Sequence, residues 1–273
     1  EQIYERLGMD FIPPTLRENK GEIEAALEHK LPQLIELGDI KGDLHVHSRW
    51  SDGLSKIEEI AAKARELAYQ YTGICDHAER LKVAHGLSVK EIAARNKEIE
   101  KLNEELNGLT ILSCIELNVD NDGNVDYKPE VLKSFDIVIA SIHGGFNQPR
   151  EQLTRRTLTA MNNKDVDIIG HPTGRILGKR PPYEIDLSVI FREAKNTGTF
   201  LELNSFPDRL DLRDDYLREA KEQGAKIAIC TDAHIASQLP FISYGVATAQ
   251  RGWLTKDDVI NTLPLEKLRK MLK

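Results

Sequence analysis

Cysteine is scarce in this sequence. The chain of 273 residues has three cysteines, Cys75, Cys114 and Cys230; none forms a CxxC pair, and their number is odd. We therefore predict no disulfide framework and a reducing, cytoplasmic setting. Each thiol lies in or beside an apolar run, where free cysteine usually fills a small core position.

Long apolar runs are also missing. No stretch approaches the roughly 18 consecutive apolar residues of a membrane helix, so we predict no membrane partner. The opening residues, EQIYERLGMD, are too polar for a signal peptide. The sequence begins without Met, which is compatible with either a fragment of a longer protein or a stand-alone chain.

Basic residues are fewer than acidic residues. Lys and Arg number 37 against 44 Asp and Glu, which gives a formal net charge of −7. A protein that grips nucleic acid alone is usually basic, so the balance argues against a large DNA-binding surface. It does not exclude a metal site, because bound cations reverse the local field. A separate basic domain could also hold DNA.

From residue 43 onward, short apolar runs alternate with longer amphipathic segments. The predicted strands are Gly42–Val46, Tyr71–Cys75, Thr110–Leu117, Ile137–Ser141, Ile168–Gly170, Phe200–Leu203 and Lys226–Cys230. The predicted helices are Ser55–Leu67, Ser88–Leu106, Gln148–Met161, Asp186–Lys195, Asp214–Glu222 and Thr255–Asn261. This alternation predicts an α/β fold with a parallel sheet, either open and doubly wound or closed into a barrel.

Residues 1–40 have a different pattern. Tyr4–Leu7 is predicted as the end of a helix, which the Pro13-Pro14 step breaks. Short helices are predicted at Glu22–His29 and at Leu31–Leu37, the latter capped by Gly38. This part of the chain is interpreted as a segment that leads into the first strand.

Six of the eight histidines lie at or just beyond the ends of predicted strands. Together with three carboxylates they give nine candidate metal ligands: His45, His47, Asp52, His77, Glu116, His143, His171, Asp232 and His234. The carboxyl ends of parallel strands open onto one face, so these side chains should converge. Imidazole and carboxylate together suit Zn, Mn or Fe. A single histidine at a strand end is more often structural, but chance does not explain the whole set.

Nine candidates exceed the three or four ligands of one catalytic zinc. With a bridging carboxylate they suffice for two or three divalent ions, the arrangement that suits displacement at phosphorus. The sequence therefore favours metal-dependent phosphoester hydrolysis. Arg175, Lys179 and Arg180 follow His171 in a cationic loop that suits a phosphate backbone, with a solvated loop as the alternative. Arg209 is a weaker candidate, which a structural ion pair would equally explain.

The motifs resemble those of one known family. Residues 43–48 (DLHVHS) and 50–53 (WSDG) resemble the first motif of the polymerase and histidinol phosphatase (PHP) superfamily. Its later motifs resemble, in order, Asp76-His77, Glu116, Ser141-Ile142-His143, Gly170-His171-Pro172 and Thr231-Asp232-Ala233-His234. Residues 11–26 resemble the connector before the PHP domain of bacterial and archaeal family X DNA polymerases. The resemblance implies a connector at 1–40 and a PHP phosphoesterase domain at 41–273.

The resemblance also implies a fold and a set of ligands. The expected fold is a distorted, TIM-like (β/α)7 barrel with a short helical N-terminal extension. The implied ligand sets are His45, His47, Glu116 and Asp232 for one ion, Glu116, His143 and His171 for a second, and Asp52, His77 and His234 for a third. Glu116 and Asp232 are expected to be catalytic, and Asp76 to orient a ligand. Arg175 or Arg209 would neutralise charge as metal-activated hydroxide attacks phosphorus in line.

The implied function is a Mn-dependent 3′–5′ exonuclease or 3′-end-processing activity on DNA. The chain would be either the C-terminal domain of a family X polymerase or a stand-alone relative. A small-molecule phosphatase of histidinol-phosphatase type is the alternative, and a non-catalytic module that retains its metals is a third. Cys75 and Ala78 stand where the family often has Thr and Ser, a departure that leaves substrate contacts open rather than metal binding.

Overall fold

Seven parallel strands follow one another around the molecule in chain order. The computed structural model describes residues 1–273. The strands are β1 (Gly42–Val46), β2 (Tyr71–His77), β3 (Thr110–Asn118), β4 (Ile137–Ser141), β5 (Ile168–Ile169), β6 (Phe200–Asn204) and β7 (Ile227–Cys230). Each strand pairs in parallel with the next, without the reversal of order that a doubly wound sheet requires. The predicted (β/α)7 barrel is confirmed.

Helices cover the outside of this barrel. They are α1 (Gln2–Arg6), α2 (Glu22–Leu27), α3 (Ile57–Glu66), α4 (Val89–Glu105), α5 (Pro129–Leu132), α6 (Arg150–Met161), α7 (Leu187–Thr197), α8 (Asp214–Gln223), α9 (Ile242–Arg251) and α10 (Leu265–Arg269). None of them combines the length and the apolar character that crossing a lipid bilayer demands.

The strands are buried on both faces, which explains their nearly continuous apolar sequences. One row of side chains packs outward against the helices, and the alternate row fills the barrel interior. The interior row includes all three cysteines, which are buried and unpaired as predicted.

The barrel is closed between β1 and β7 mainly by side chains. The Asn261 amide donates to the carbonyls of Gly42, 2.7 Å away, and Ile229, 2.8 Å away. Its oxygen accepts the Ile229 N–H at 3.0 Å. Asn261 is fully buried, so this one side chain replaces a missing stretch of backbone ladder at the amino-terminal end of the two strands.

Further along the same seam, the buried Asp43 carboxylate accepts hydrogen bonds from the Thr231 N–H, at 3.2 Å, and from the Thr231 hydroxyl. At the carboxyl end, the His47 N–H donates to the Ala233 carbonyl at 2.8 Å. The seam is thus joined at three levels, and the last level lies among the predicted metal ligands.

The predicted helix at Leu31–Leu37 is wrong. Most of this segment has no regular secondary structure, and a 3₁₀ turn occurs only at Leu37–Asp39. Tertiary hydrogen bonds hold it there, because the Ile35 N–H donates to the Leu254 carbonyl at 3.0 Å and the Gln250 amide donates to the Ile35 carbonyl at 2.8 Å. Packing against the C-terminal part of the chain overrides the local helical pattern.

Three differences occur near the C-terminus, and one of them is helix α10, which was not predicted. The predicted helix Thr255–Asn261 is wrong, since the segment forms two short 3₁₀ turns that deliver Asn261 into the seam. Helix α9 was not predicted, because Gly245 lies inside it. A Cβ at Gly245 would lie 2.0 Å from the Ser205 hydroxyl oxygen and 2.6 Å from an Ile229 methyl carbon, so close packing of α9 on the barrel requires glycine there.

The N-terminal residues pack against the barrel through a small apolar cluster of Ile12, Leu16 and Ala26, with Trp253 beside it. Arg251 adds ion pairs to Glu18, at 2.5 Å, and to Asp214, at 3.4 Å. Arg251 therefore joins the connector to the barrel, and the domain boundary at residue 40 stays a prediction.

We predict that Asn261→Ala lowers the free energy of unfolding by about 3 kcal/mol, because each buried group left without a partner costs about 1–3 kcal/mol. Urea unfolding followed by circular dichroism measures the change. Asn107→Ala, at an exposed position, is the matched control. Equal unfolding midpoints for the two variants would show that the seam does not depend on Asn261.

Candidate metal centre

The nine predicted ligands converge at the carboxyl ends of the strands. Alternation along the strands explains how two of them arrive there. The interior row of β2 runs through Cys75 to His77, and that of β3 runs through Cys114 to Glu116. Side chains two residues apart share a face, so apolar interior positions lead directly into polar ones at the barrel mouth.

Glu116 lies at the centre of this cluster and is buried. Its Oε1 lies 3.0 Å from His171 Nε2 and 3.2 Å from His143 Nε2. Its Oε2 lies 2.9 Å from His77 Nδ1 and 3.5 Å from His45 Nε2. Burial alone would raise the pKa of Glu116, but the imidazoles hold it well below its usual value. Each oxygen of one carboxylate thus faces a different set of nitrogen atoms.

A first group of donors consists of His45, His47 and Asp232, whose ligand atoms lie within 4.8 Å of one another. The Nε2 atoms of His45 and His47 are 3.1 Å apart, and His47 Nε2 is 3.1 Å from Asp232 Oδ1. Burial and the neighbouring imidazoles lower the pKa of His47 to about 4. His47 is therefore neutral near pH 7, the form that binds metal.

A second group consists of His47, Asp52, His77 and His234, again with donor atoms within 4.8 Å. Asp52 oxygens lie 3.6 Å from His77 Nε2 and 3.5 Å from His234 Nε2. Burial opposes ionisation of Asp52, but its hydrogen bond with His234 and the nearby imidazoles lower its pKa to about 2. A third group joins His77 and Glu116 to His143.

The donor set fits divalent metal ions. The Nδ1 atoms of His47, His77 and His171 are buried without a hydrogen-bond partner. His77 Nδ1 lies 2.9 Å from a Glu116 oxygen, yet the pair lacks hydrogen-bond geometry. Buried polar atoms in proteins almost always have partners, and a bound cation would supply one for His47 and His77, which belong to the donor groups above. The roles of the individual ligands stay predictions.

Glu202 on β6 was missed as a site residue. Its fully buried carboxylate lies 2.7 Å from His45 Nδ1 and accepts the His171 backbone N–H at 2.5 Å. Although burial opposes it, the carboxylates of Glu202 and Glu116 raise the pKa of His45 well above its usual value. An acidic residue within the apolar sequence FLELN was the signal that could have identified it.

Two amides were also missed. Asn118 Oδ1 lies 2.7 Å from His143 Nδ1, and the Asn204 amide donates to Asp232 Oδ2 at 2.9 Å. Such outer partners fix the tautomer and the orientation of a metal ligand. Asn118 and Asn204 lie at the carboxyl ends of β3 and β6, the end of the barrel where the predicted ligands also lie.

Asp76 acts on a loop rather than on an imidazole. It accepts hydrogen bonds from the Ser48 N–H at 2.9 Å and from the Ser51 hydroxyl at 2.8 Å, and it pairs with the buried Arg95 at 3.2 Å. Asp76 therefore orients a predicted ligand indirectly, by holding the loop that carries Asp52.

The predicted arginines differ in their surroundings. Arg209 Nε lies 3.3 Å from Asp232 Oδ2, and its Nη1 is buried without a partner. The Arg175 guanidinium donates instead to the carbonyls of Arg209, at 2.7 Å, and Leu210. Arg175 thus holds the segment that carries Arg209, and it makes no contact with the carboxylates of the metal centre.

Two of the predicted ligands have an unusual backbone. His171 and Asp232 have φ values of +27° and +53°, the left-handed region that residues other than glycine rarely adopt. Such conformations persist where the surrounding structure imposes them, commonly at functional sites. Here Glu202 binds the His171 N–H, while Asn204 and Arg209 hold the Asp232 side chain.

Known proteins resemble this chain over most or all of its length. The sequence profile of the family described as "PHP domain" matches residues 43–206. The chain is 45% identical over 272 residues to the "DNA polymerase/3′-5′ exonuclease PolX" of Bacillus subtilis strain 168, covering 100% of this chain and 47% of that protein. The chain therefore spans about half the length of that relative.

Two further relatives resemble most of the chain. A probable phosphatase of Thermoanaerobacter sp. strain X514 is 31% identical over 242 residues, covering 85% of this chain and 94% of the relative. Among solved structures, the histidinol phosphate phosphatase of Lactococcus lactis, crystallised with zinc, L-histidinol and phosphate, has a TM-score of 0.56 at 21% identity. The two structures align over 77% of this chain and 93% of the phosphatase chain, and the likeness shows a shared fold.

We predict that the affinity for divalent metal rises with pH. Burial lowers the pKa of His234, but Asp52 and Asp232 outweigh burial and raise this pKa to about 9. The His234 imidazole therefore carries a proton near pH 7. Binding must displace that proton, and affinity should rise by up to about tenfold per pH unit toward pH 9. Competition with a chelating dye across that range measures it. An affinity that does not change with pH would remove His234 from the ligand set.

We also predict that Glu202→Gln weakens metal affinity by about 10–100-fold, because the outer partner of the His45 ring loses its charge. Isothermal titration with Mn²⁺ or Zn²⁺ measures the affinity, and circular dichroism checks the fold. Glu130→Gln, at an exposed position, is the control. Equal metal affinity in both variants would contradict an outer-shell role for Glu202.

Proposed function

The chain belongs to the PHP domain family, and from that premise we propose that it hydrolyses phosphoester bonds with two to three divalent ions bound at the barrel mouth. One observation carries this proposal most directly. The two oxygens of Glu116 face separate sets of imidazoles, at 3.0–3.2 Å and at 2.9–3.7 Å. A carboxylate in this position is suited to bridging two ions.

The residues proposed to hold the ions are the nine convergent side chains. Mn, Zn and Fe are the metals that such a mixture of imidazole and carboxylate suits. Ions bound in this way lower the pKa of water to near neutrality and neutralise phosphoryl oxygens during displacement at phosphorus. Glu116 and Asp232 hold the centre together. Glu116 contacts imidazoles from more than one strand, and Asp232 contacts His45 and His47 across the seam between β7 and β1.

Arg209 is the residue proposed to bind the substrate phosphate. Its Nη1 is buried without a partner, and a charge-assisted hydrogen bond to a phosphoryl oxygen would satisfy it. The ion pair with Asp232 fixes the guanidinium beside the metal centre. Arg175 is a positioning residue in this scheme, because it holds the Arg209 backbone.

The preferred substrate is a DNA 3′ end, acted on by 3′–5′ exonuclease or 3′-end-processing activity. The similarity to the Bacillus polymerase and exonuclease supports this, since it extends over 100% of the chain. A polymerase domain in the full-length protein is part of the same proposal. So is a reducing cytoplasmic setting, which the three buried free thiols support.

A small-molecule phosphatase is the second candidate. It is supported by the probable phosphatase of Thermoanaerobacter, of which the chain covers 94%. The two candidates share the metal centre and differ in what lies beyond the reacting phosphate.

The test uses single-stranded oligonucleotides labelled near the 3′ end, with Mn²⁺. We expect stepwise release of nucleotides or removal of a 3′-phosphate. Rapid phosphate release from small monoesters, with oligonucleotides left intact, would favour the second candidate. Inactivity on every phosphoester would falsify both.

We predict that Asp232→Ala and His45→Ala each lower kcat by at least about 100-fold without unfolding the chain, because each removes a predicted ligand. Activity is measured on the substrate that the first test identifies, and circular dichroism monitors the fold. Asp257→Ala, on the exposed surface, is the control. Wild-type rates at equal metal content would exclude the substituted residue from the mechanism.

A further inference from the structure

A cavity of about 860 Å³ lies between residues 145–148 and residues 180–184. The first wall follows His143 directly along the chain. The second is tied to the turn after His171, because Arg180 Nε donates to the Gly174 carbonyl at 2.7 Å and the Gly174 N–H donates to the His171 carbonyl at 2.9 Å. Both walls are therefore attached to predicted metal ligands.

The arginine in this cavity is held in a fixed orientation. The Arg180 guanidinium carbon lies 4.1 Å from the centroid of the Phe146 ring. Phe146 in turn stacks on Tyr183, with centroids 6.0 Å apart and planes inclined by 13°. Stacking fixes the guanidinium plane, and the bond from Nε to Gly174 fixes its rotation. The two terminal nitrogens are left for another partner.

No carboxylate forms a direct ion pair with this guanidinium. The neighbouring Lys179 pairs with Asp208 at 3.4 Å, whereas the Arg180 side chain bonds only to a backbone carbonyl. Glu184 is the one acidic residue in the cavity lining, and it is exposed. Burial and the nearby Arg209 lower the pKa of Arg180, and Tyr183 and Asp211 act in the opposite direction. A rigid, unpaired guanidinium fork has the geometry that binds phosphate oxygens.

We propose that Arg180, supported by Phe146, binds an internucleotide phosphate of single-stranded DNA while the reacting phosphate lies at the metal centre. This inference rests on the proposed function and specifies its substrate as a polynucleotide. The volume of the cavity lies within the range of roughly 300–1,000 Å³ that is typical of ligand sites, so the cavity has room for more than one phosphate group. A small monoester has one phosphate and cannot occupy both places.

The first test compares two substrates in each variant. For Arg180→Gln, we expect the kcat/KM on a single-stranded oligonucleotide of about 12 nucleotides to fall about tenfold relative to that on p-nitrophenyl phosphate, chiefly through KM. Arg192→Gln, which removes an exposed arginine on α7, should leave the ratio as in wild type. Equal losses on both substrates would mean that Arg180 only holds the loop, and would overturn the proposal.

The second test measures binding without catalysis. Fluorescence anisotropy in EDTA reports the affinity for labelled single-stranded oligonucleotides, which should be weaker in Arg180→Gln and Phe146→Leu. Arg180→Lys should be intermediate, because it keeps the charge and loses the planar fork. Wild-type affinity in Arg180→Gln would refute the subsite. If wild-type protein binds DNA through Arg180 but cleaves no phosphoester, the proposed function fails and the subsite stands.

Discussion

Everything at the barrel mouth depends on keeping six imidazoles and three carboxylates close together in a largely buried space. Taking ionisable groups out of water is costly unless opposite charges and hydrogen bonds compensate. Glu116 supplies most of the compensation, because both of its oxygens face imidazole nitrogens. The outer carboxylate of Glu202 and the amides of Asn118 and Asn204 supply the rest. The fold can carry such a cluster because a rigid ring of strands surrounds it.

The arginines show how charge is divided around this cluster. Arg209 pairs with Asp232 at the centre, while Arg175 binds backbone carbonyls behind it. Arg251 pairs with Glu18 and Asp214, where it joins the N-terminal connector to the barrel. Among these four arginines, only Arg180 packs on an aromatic ring, that of Phe146, and its one hydrogen bond is to the Gly174 carbonyl. An acidic protein can therefore still present localised positive charge where a phosphate would arrive.

Most of the fold could be predicted from the sequence, because strands buried on both faces leave nearly continuous apolar runs. The convergence of the ligands followed from the parallel sheet. The helix predicted at Leu31–Leu37 failed because hydrogen bonds to distant residues decide its conformation. Glu202 was missed for a related reason: its role depends on contacts with His45 and His171, and spacing along the chain does not reveal them. The environment of Arg175 likewise depends on a loop more than 30 residues away.

The seam between β1 and β7 has a consequence for the energetics of the whole molecule. The strands are joined there by a few side chains, and the loop ends beyond them carry His47 and Asp232. A cation held by these two side chains would span the joint and act as a cross-link between the first and last strands. Closure of the barrel between β1 and β7 and binding of metal at the barrel mouth would then be thermodynamically linked. The thermal stability of the protein would therefore rise with the concentration of free divalent ion.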